Sequence, residues 1–131
     1  SFMSLEATLN KIQNNPLYKK SCSIHKQYQF HQFQQDGKIM NGQVPRKEDI
    51  NGLVEGDPGF DASTASIVLY NFKNGVLHSE PENEPAVQYR GHIEYWNNGL
   101  ITKVVDYVKE VEESWENGVP VKIIENMNKG K

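Results

Sequence analysis

The sequence predicts a mainly β domain, an antiparallel meander of hairpins with one N-terminal helix. The first observation is a phrase that occurs three times, an aromatic residue followed by one spacer, Asn-Gly and an aliphatic residue: FKNGVL, YWNNGLI and SWENGVPV. Asn-Gly allows positive φ at both central residues, as a type I′ hairpin turn requires. The second observation is that the joints after residue 65 are too short for a parallel crossover, which needs about a dozen residues. With 131 residues, the chain is expected to form a single domain, 1–131.

Residues 1–15 are predicted to form a capping helix. Apolar side chains recur at helical spacing from Met3 to Ile12, Ser4 can serve as the N-cap, and Asn-Asn-Pro follows as a stop. The apolar stripe of this helix is expected to cover one face of the sheet.

The next two segments are predicted to be a hairpin and a long loop. Residues 16–42 form the N-terminal hairpin, since 21–35 alternate in part between apolar and polar side chains and Asp-Gly follows as a turn. Residues 43–64 are rich in glycine, proline and acidic residues, which predicts a loop with one helical turn near 46–51. Loops of about 20 residues are uncommon in compact domains, so this loop is expected to be a functional flap, a crossing segment or a partly mobile one.

Residues 65–126 are predicted to form the hairpin-repeat meander, and 127–131 a tail. The strands are expected at 65–72, 76–80, 86–90, 92–96, 100–105, 107–115 and 119–126. The aromatic residues two positions before each turn asparagine are expected to cover the same face of successive hairpins: Phe72, Trp96 and Trp115.

The stretch LHSEPENEPAVQYRGHIEYWNNGLI, residues 77–101, resembles a degenerate hairpin repeat of the form PAVxYxxGxxEYWxNGxL in small bacterial and viral proteins. It is also similar to the MORN repeat, and the resemblance covers residues 70–121. What the resemblance implies is a MORN-like stack of hairpins that acts as a scaffold or a binding surface. It brings no catalytic residues with it.

Composition limits the classes of protein to consider. No run approaches the roughly 20 apolar residues of a membrane span, so we expect no membrane association. The single cysteine, Cys22, excludes an internal disulfide, and residues 1–20 hold no apolar segment of the secretory type. Together these observations favour a cytoplasmic location.

The sequence offers no catalytic set, and we expect a protein that is not an enzyme and needs no metal or cofactor. Cys22 and His25 would point to opposite faces of a strand, which works against a thiol activated by a base. His78 and His92 could meet beside a glutamate in a zinc-like set, but solvated strand histidines are the simpler interpretation.

The favoured hypothesis is a non-enzymatic module that binds a protein partner, in the manner of a small antitoxin, an immunity protein or a phage-encoded inhibitor. Most acidic residues lie between positions 48 and 116, so the partner could be basic. Exposed sheet edges also invite a homodimer. The candidate binding residues, expected to be displayed on the meander, are His92, Glu94, Tyr95, Glu110, Glu112 and Glu113.

An alternative hypothesis is a small-ligand sponge that sequesters a nucleotide-like signalling molecule, between subunits or in a pocket under the 43–64 loop. Aromatic side chains would stack on a base, and cations would bind phosphate. The candidate ligand-binding residues are Lys26, Tyr28, Phe30, Arg46, Lys47 and Arg90.

Overall fold

The computed structural model describes residues 4–126, so the predicted tail at 127–131 and the first three residues of the predicted helix lie outside the described residues. Helix α1 spans Leu5–Gln13, and the side chain of Ser4 caps its N-terminus, as the sequence predicts. A second helix, α2, spans Pro16–Lys20. Proline is favourable in its first turn, where a backbone N–H has no helical partner.

Antiparallel strands make up most of the remaining fold, which confirms the predicted class. The strands are β1 (Gln34–Gln35), β2 (Lys38–Ile39), β3 (Gly42–Glu48), β4 (Ser66–Lys73), β5 (Val76–Leu77), β6 (Val87–Tyr89), β7 (His92–Asn97), β8 (Leu100–Asp106), β9 (Val111–Glu116) and β10 (Val119–Glu125). Strands β1 and β2 form a small separate hairpin. The other eight form one sheet in the order β10-β9-β8-β7-β6-β4-β3, with β5 paired to β4. Strands β6 to β10 are neighbours in chain order, as a meander requires.

Asn-Gly turns close three of the hairpins. The asparagines at positions 74, 98 and 117 have φ of 52°, 47° and 53°, and the glycines that follow have φ of 84°, 90° and 86°. Positive φ at both central residues is the type I′ geometry, whose twist matches that of the flanking strands. The repeated phrase therefore encodes each hairpin locally.

One face of the sheet carries the core. The three aromatic residues that precede the turns, Phe72, Trp96 and Trp115, are buried there in one cluster. Ile12 and Tyr18 of the two helices belong to the same cluster, and the Tyr18 ring meets the Trp115 ring edge to face at 6.0 Å. The N-terminal segment thus covers this face, as predicted for the first helix.

The opposite face of the sheet is largely solvated. Residues that alternate with the buried ones, such as Ile67, Gln88, Lys103 and Ser114, are exposed. An antiparallel sheet with one packed and one solvated face is a common arrangement. Within residues 4–126, neither helix has the length and apolar character needed to cross a membrane.

The segment 21–35 differs from its prediction, because it does not form a long strand. It contains a 3₁₀ turn at Lys26–Tyr28, crosses the core face irregularly up to residue 33 and ends in β1. The predicted hairpin over 16–42 is therefore wrong in its extent, because residues 16–20 form α2 and the hairpin is limited to β1 and β2. Its polar side chains reach partners in the sheet: the Ser23 hydroxyl donates to Glu94, and the Gln29 side-chain amide donates to a turn carbonyl. These long-range bonds override the partial alternation of the sequence.

The 43–64 segment also differs, because its first part is an edge strand. Strand β3 lies at the edge of the sheet, where it pairs with β4 and forms one bridge from Glu48 to Val54 of the loop. It includes positions where a helical turn near 46–51 was expected, so that expectation is wrong. Pro45 is tolerated because an edge strand has one side on which no N–H is needed. The remaining loop covers residues 49–65 and contains a 3₁₀ turn at Ala62–Thr64.

Candidate functional site

The core face carries two buried carboxylates, each two residues before a tryptophan. Glu94 precedes Trp96 and Glu113 precedes Trp115, and in both pairs the indole N–H donates to the carboxylate at 2.9 Å. Both glutamates have 0% exposure. Since residues i and i+2 of a strand share a face, the hairpin phrase places each carboxylate on the side of its tryptophan.

These two glutamates also hold the N-terminal segment against the sheet. The Ser21 hydroxyl and the Cys22 backbone N–H donate to Glu113 at 2.7 and 2.8 Å. The Ser23 hydroxyl donates to Glu94 at 2.6 Å. Hydrogen bonds to a charged acceptor are about twice as strong as neutral ones, so the segment is fixed by specific side chains as well as by apolar contact.

His92 lies between two carboxylates. Its Nε2 is 2.7 Å from Oε2 of Glu94, and its Nδ1 is 2.9 Å from Oδ2 of Asp106. The other oxygen of Asp106 accepts hydrogen bonds from the backbone N–H groups of Val108 and Lys109. Burial by itself lowers the pKa of His92, but its hydrogen bonds and charge interactions with the two carboxylates outweigh burial and raise that pKa.

Glu94 is held in its charged form. Burial by itself would raise the pKa of Glu94, but the hydrogen bond from His92, the charges of His25 and His92, and the Ser23 hydroxyl lower it to about 2. The Glu94 carboxylate is therefore charged inside the core, with the His92 imidazole 2.7 Å away.

His25 forms a second buried centre. Its Nε2 is 2.8 Å from the Tyr70 hydroxyl and 3.5 Å from Oε1 of Glu48, and the Tyr70 hydroxyl donates a short hydrogen bond to Glu48. Burial, followed by the hydrogen bond and charge of Glu48, raises the pKa of Tyr70. His25 Nδ1 lies 4.0 Å from Oε2 of Glu94 and has no hydrogen-bond partner among the described residues. His25 thus lies between the two carboxylate centres.

A cavity of about 390 Å³ opens beside these buried groups. The N-terminal segment, the 49–65 loop, the start of β4 and the turns after β6 and β8 form its walls. The lining residues are Cys22, Ile24, Glu48, Asp49, Ile50, Ser63, Thr64, Ser66, Val68, Tyr89, Arg90, Asp106, Val108 and Lys109. The cavity therefore lies against the long loop, where the alternative hypothesis expects a pocket.

The acidic side chains of the cavity are engaged by the protein itself. The Asp49 carboxylate accepts hydrogen bonds from the backbone N–H groups of Asn51, Leu53 and Asp61. Burial by itself would raise the pKa of Asp49, but these hydrogen bonds outweigh burial and lower it. Glu48 and Asp106 have the partners described above. The cations of the cavity differ: within residues 4–126 neither the Arg90 nor the Lys109 side chain forms a salt bridge.

Cys22 lines the cavity with a protonated thiol. Burial, followed by the charge of Glu113, raises the pKa of this thiol, so the thiolate is disfavoured in the protein as it stands. The predicted strand geometry between Cys22 and His25 is absent, because both residues lie in the irregular segment.

The residues predicted for partner binding do not form one displayed surface. His92, Glu94 and Glu113 are buried, so the expectation that they are displayed is wrong. The physical reason is their strand parity, which they share with Trp96 and Trp115 of the core face.

The other three predicted partner-binding residues are more accessible. Tyr95 is half-buried and points away from the core face. Glu112 is also half-buried, with its carboxylate 3.1 Å from the Lys103 ammonium. Glu110 lies in the 107–110 turn with φ of 58°, where a strand was predicted. The predicted acidic group is thus divided among a turn, the solvated face and the core.

Of the residues predicted for ligand binding, Arg90 lines the cavity. The other five lie outside its walls: Lys26, Tyr28, Phe30, Arg46 and Lys47. The Lys26 ammonium donates to the Tyr18 carbonyl at 2.6 Å, and Arg46 Nε lies 3.7 Å from the Glu48 carboxylate. These two cations are therefore used within the fold.

Sequence reasoning did not identify Glu48, Tyr70, Asp106 or Lys109 as site residues. One signal was present: Tyr70 lies five residues before its turn glycine, as Glu94 and Glu113 do before theirs. The alternative in which His78 meets His92 is wrong, because His78 accepts a hydrogen bond from the Asn98 backbone at the turn, while His92 is bonded to Asp106. The simpler interpretation of solvated strand histidines is also wrong for His92, which is buried.

A scan of protein-family models, a search of curated proteins and a search of solved structures each gave no match to this chain.

Proposed function

We propose that this domain binds a small organic anion in the cavity under the 49–65 loop, with nucleotide-like molecules as the first class to test. The observation that carries the proposal is the pair of cations on the cavity wall, Arg90 and Lys109. The carboxylates of the cavity already accept hydrogen bonds from backbone and side-chain donors, so Arg90 and Lys109 are the charged groups whose donors can contact a ligand.

The size and lining of the cavity agree with a small ligand. Its volume of about 390 Å³ is near the lower end of the range for ligand pockets. Ile24, Ile50 and Val68 provide apolar wall, while Ser66 provides a hydroxyl and Tyr89 an aromatic ring. An apolar or planar body with one anionic group would be complementary to this mixture.

The buried bonds described above support a preformed site. Ser21 and Ser23 are tied to Glu113 on β9 and Glu94 on β7, which fixes the segment that forms one wall. The Asp49 carboxylate organises the start of the loop that forms another wall. A wall that is already ordered reduces the entropy lost when a ligand binds.

Thermal denaturation with a panel of mononucleotides, cyclic nucleotides and dinucleotides tests the proposal. A ligand at roughly 100 times its dissociation constant stabilises the folded state by about 2.7 kcal/mol. Arg90→Gln should abolish the shift, whereas the matched control Lys47→Gln, an exposed cation on β3 outside the cavity, should preserve it. No shift with any member of the panel, or an equal loss in both variants, would contradict the proposal.

Binding of a protein partner, possibly basic, and formation of a homodimer stay predictions, as does the resemblance to MORN-like repeats. The predicted partner-binding residues are separate from the cavity, because the accessible ones, Glu110, Glu112 and Tyr95, do not line it.

A further inference from the structure

The geometry points to a divalent metal site on the floor of the cavity, formed by Cys22, His92 and Asp106. One thiol sulfur, one imidazole nitrogen and one carboxylate oxygen lie within 4.8 Å of one another. This combination of sulfur, nitrogen and oxygen donors is one that Zn²⁺ accepts, and three protein ligands with one open position is the usual set for an accessible zinc ion.

The surroundings of two ligands already hold them beside each other. His92 directs Nδ1 toward Asp106 and donates from Nε2 to Glu94, which is the carboxylate-histidine arrangement found behind metal-bound imidazoles. Oδ1 of Asp106 accepts hydrogen bonds from the backbone N–H groups of Val108 and Lys109, and Oδ2 is the oxygen that faces His92. Glu94 is in turn fixed by Ser23 and Trp96.

Metal binding requires a small adjustment of the His92–Asp106 pair and a closer approach of the Cys22 sulfur, which lies within 4.8 Å of the other two ligand atoms. Nδ1 of His92 and Oδ2 of Asp106 are 2.9 Å apart, joined by a hydrogen bond. Two tetrahedral zinc ligands with bonds of about 2.0–2.1 Å are separated by about 3.3 Å, so the two atoms need to part by a few tenths of an ångström. Zn²⁺ replaces the Nδ1 proton of His92 and the thiol proton of Cys22, and both protons leave to solvent.

The open coordination position faces the cavity. Cys22 and Asp106 line the cavity wall, while His92 lies behind them in the core. A water molecule or an anionic group in the cavity can therefore complete the coordination. The metal site does not rest on the proposed anion binding, because its three protein ligands are present without any organic ligand.

Titration of the chelator-treated full chain with ZnCl₂ alone, followed by calorimetry, tests the site. We expect one Zn²⁺ per chain, with affinity lowered at least about 10-fold in Cys22→Ser. The control is His78→Gln, because His78 lies away from the proposed ligands, beside the turn at Asn98. This variant should bind Zn²⁺ like the parent chain. Co²⁺ in place of Zn²⁺ should give a sulfur-to-metal charge-transfer band in the near ultraviolet that Cys22→Ser removes.

Either of two results would overturn the inference: no saturable Zn²⁺ binding by the parent chain, or equal binding by the parent and Cys22→Ser. Loss of binding in His78→Gln would also overturn it, because the ion would then lie elsewhere. Cys22→Ser is the main variant since it keeps the backbone N–H that donates to Glu113, and a circular dichroism spectrum shows whether it folds. Failure of anion binding with intact Zn²⁺ binding would remove the proposed function alone.

Discussion

Replacing Glu113 by alanine should destabilise the domain far more than replacing its neighbour Glu112. Glu113 accepts three hydrogen bonds, from the Ser21 hydroxyl, the Cys22 backbone and the Trp115 indole. Its removal leaves these donors unpaired in or near the core, at about 1–3 kcal/mol each where they stay buried, so we expect a total loss of about 3–9 kcal/mol for the three. That is a large part of the roughly 5–15 kcal/mol that stabilises a domain.

Glu112 provides the matched control. It lies one residue away on the same strand, is half-buried and has an ion pair with Lys103 at 3.1 Å, for which we expect a loss of at most about 1 kcal/mol. Urea denaturation followed by tryptophan fluorescence gives both free energies of unfolding. Glu113→Gln, which keeps one acceptor oxygen, should fall between the two. A loss in Glu113→Ala within about 1 kcal/mol of that in Glu112→Ala would refute the anchoring role.

Three further predictions concern a turn, the loop and the thiol. Gly75→Ala should lower the free energy of unfolding more than Gly37→Ala, because both have positive φ but a Cβ at Gly75 would lie 3.2 Å from a backbone carbonyl and at Gly37 would meet nothing within 4 Å. Backbone hydrogen bonds lower the pKa of Asp49, so its contribution to stability is present above its ordinary pKa of 3.8 and is lost as pH falls through the lower folded value. Limited proteolysis of the loop should therefore accelerate on acidification below about pH 4 in the parent chain, whereas Asp49→Ala should be cleaved readily at neutral pH and Glu55→Gln should resemble the parent. Because burial raises the pKa of the Cys22 thiol, iodoacetamide should alkylate the folded, metal-free chain much more slowly than the urea-unfolded chain at the same pH, and equal rates would contradict this assignment.

The hairpins were predictable because their information is local. An Asn-Gly pair sets the turn, and period-two alternation sets which side chains share a face. The same alternation places Glu94 beside Trp96, and a buried glutamate follows from that parity once the aromatic residue is assigned to the core. Charge nevertheless suggests a solvated position, because two of the groups that stabilise the carboxylate, His25 and Ser23, lie far away in the chain, Ser23 by 71 residues.

Most of the cavity lining, and the cluster of Cys22, His92 and Asp106, could not be predicted for the same physical reason. Cys22, His92 and Asp106 come from three segments, and the first of these follows an irregular path fixed by its bonds to the sheet. Pro45 led to a different error: proline is typical of loops, so a loop was predicted, but Pro45 lies in the edge strand β3, where proline is compatible with pairing on one side. Long-range polar contacts, and not local propensity, determine this part of the structure.

The most direct test of the central claim is an NMR titration of isotope-labelled chain with the nucleotide that gives the largest thermal shift. We predict that the backbone resonances of Arg90, Lys109 and Ser66 shift together with one dissociation constant, while those of Lys47 and Ser114 stay unchanged. Shifts concentrated on the solvated face of the sheet, or no saturable shift around the cavity with any nucleotide, would contradict it.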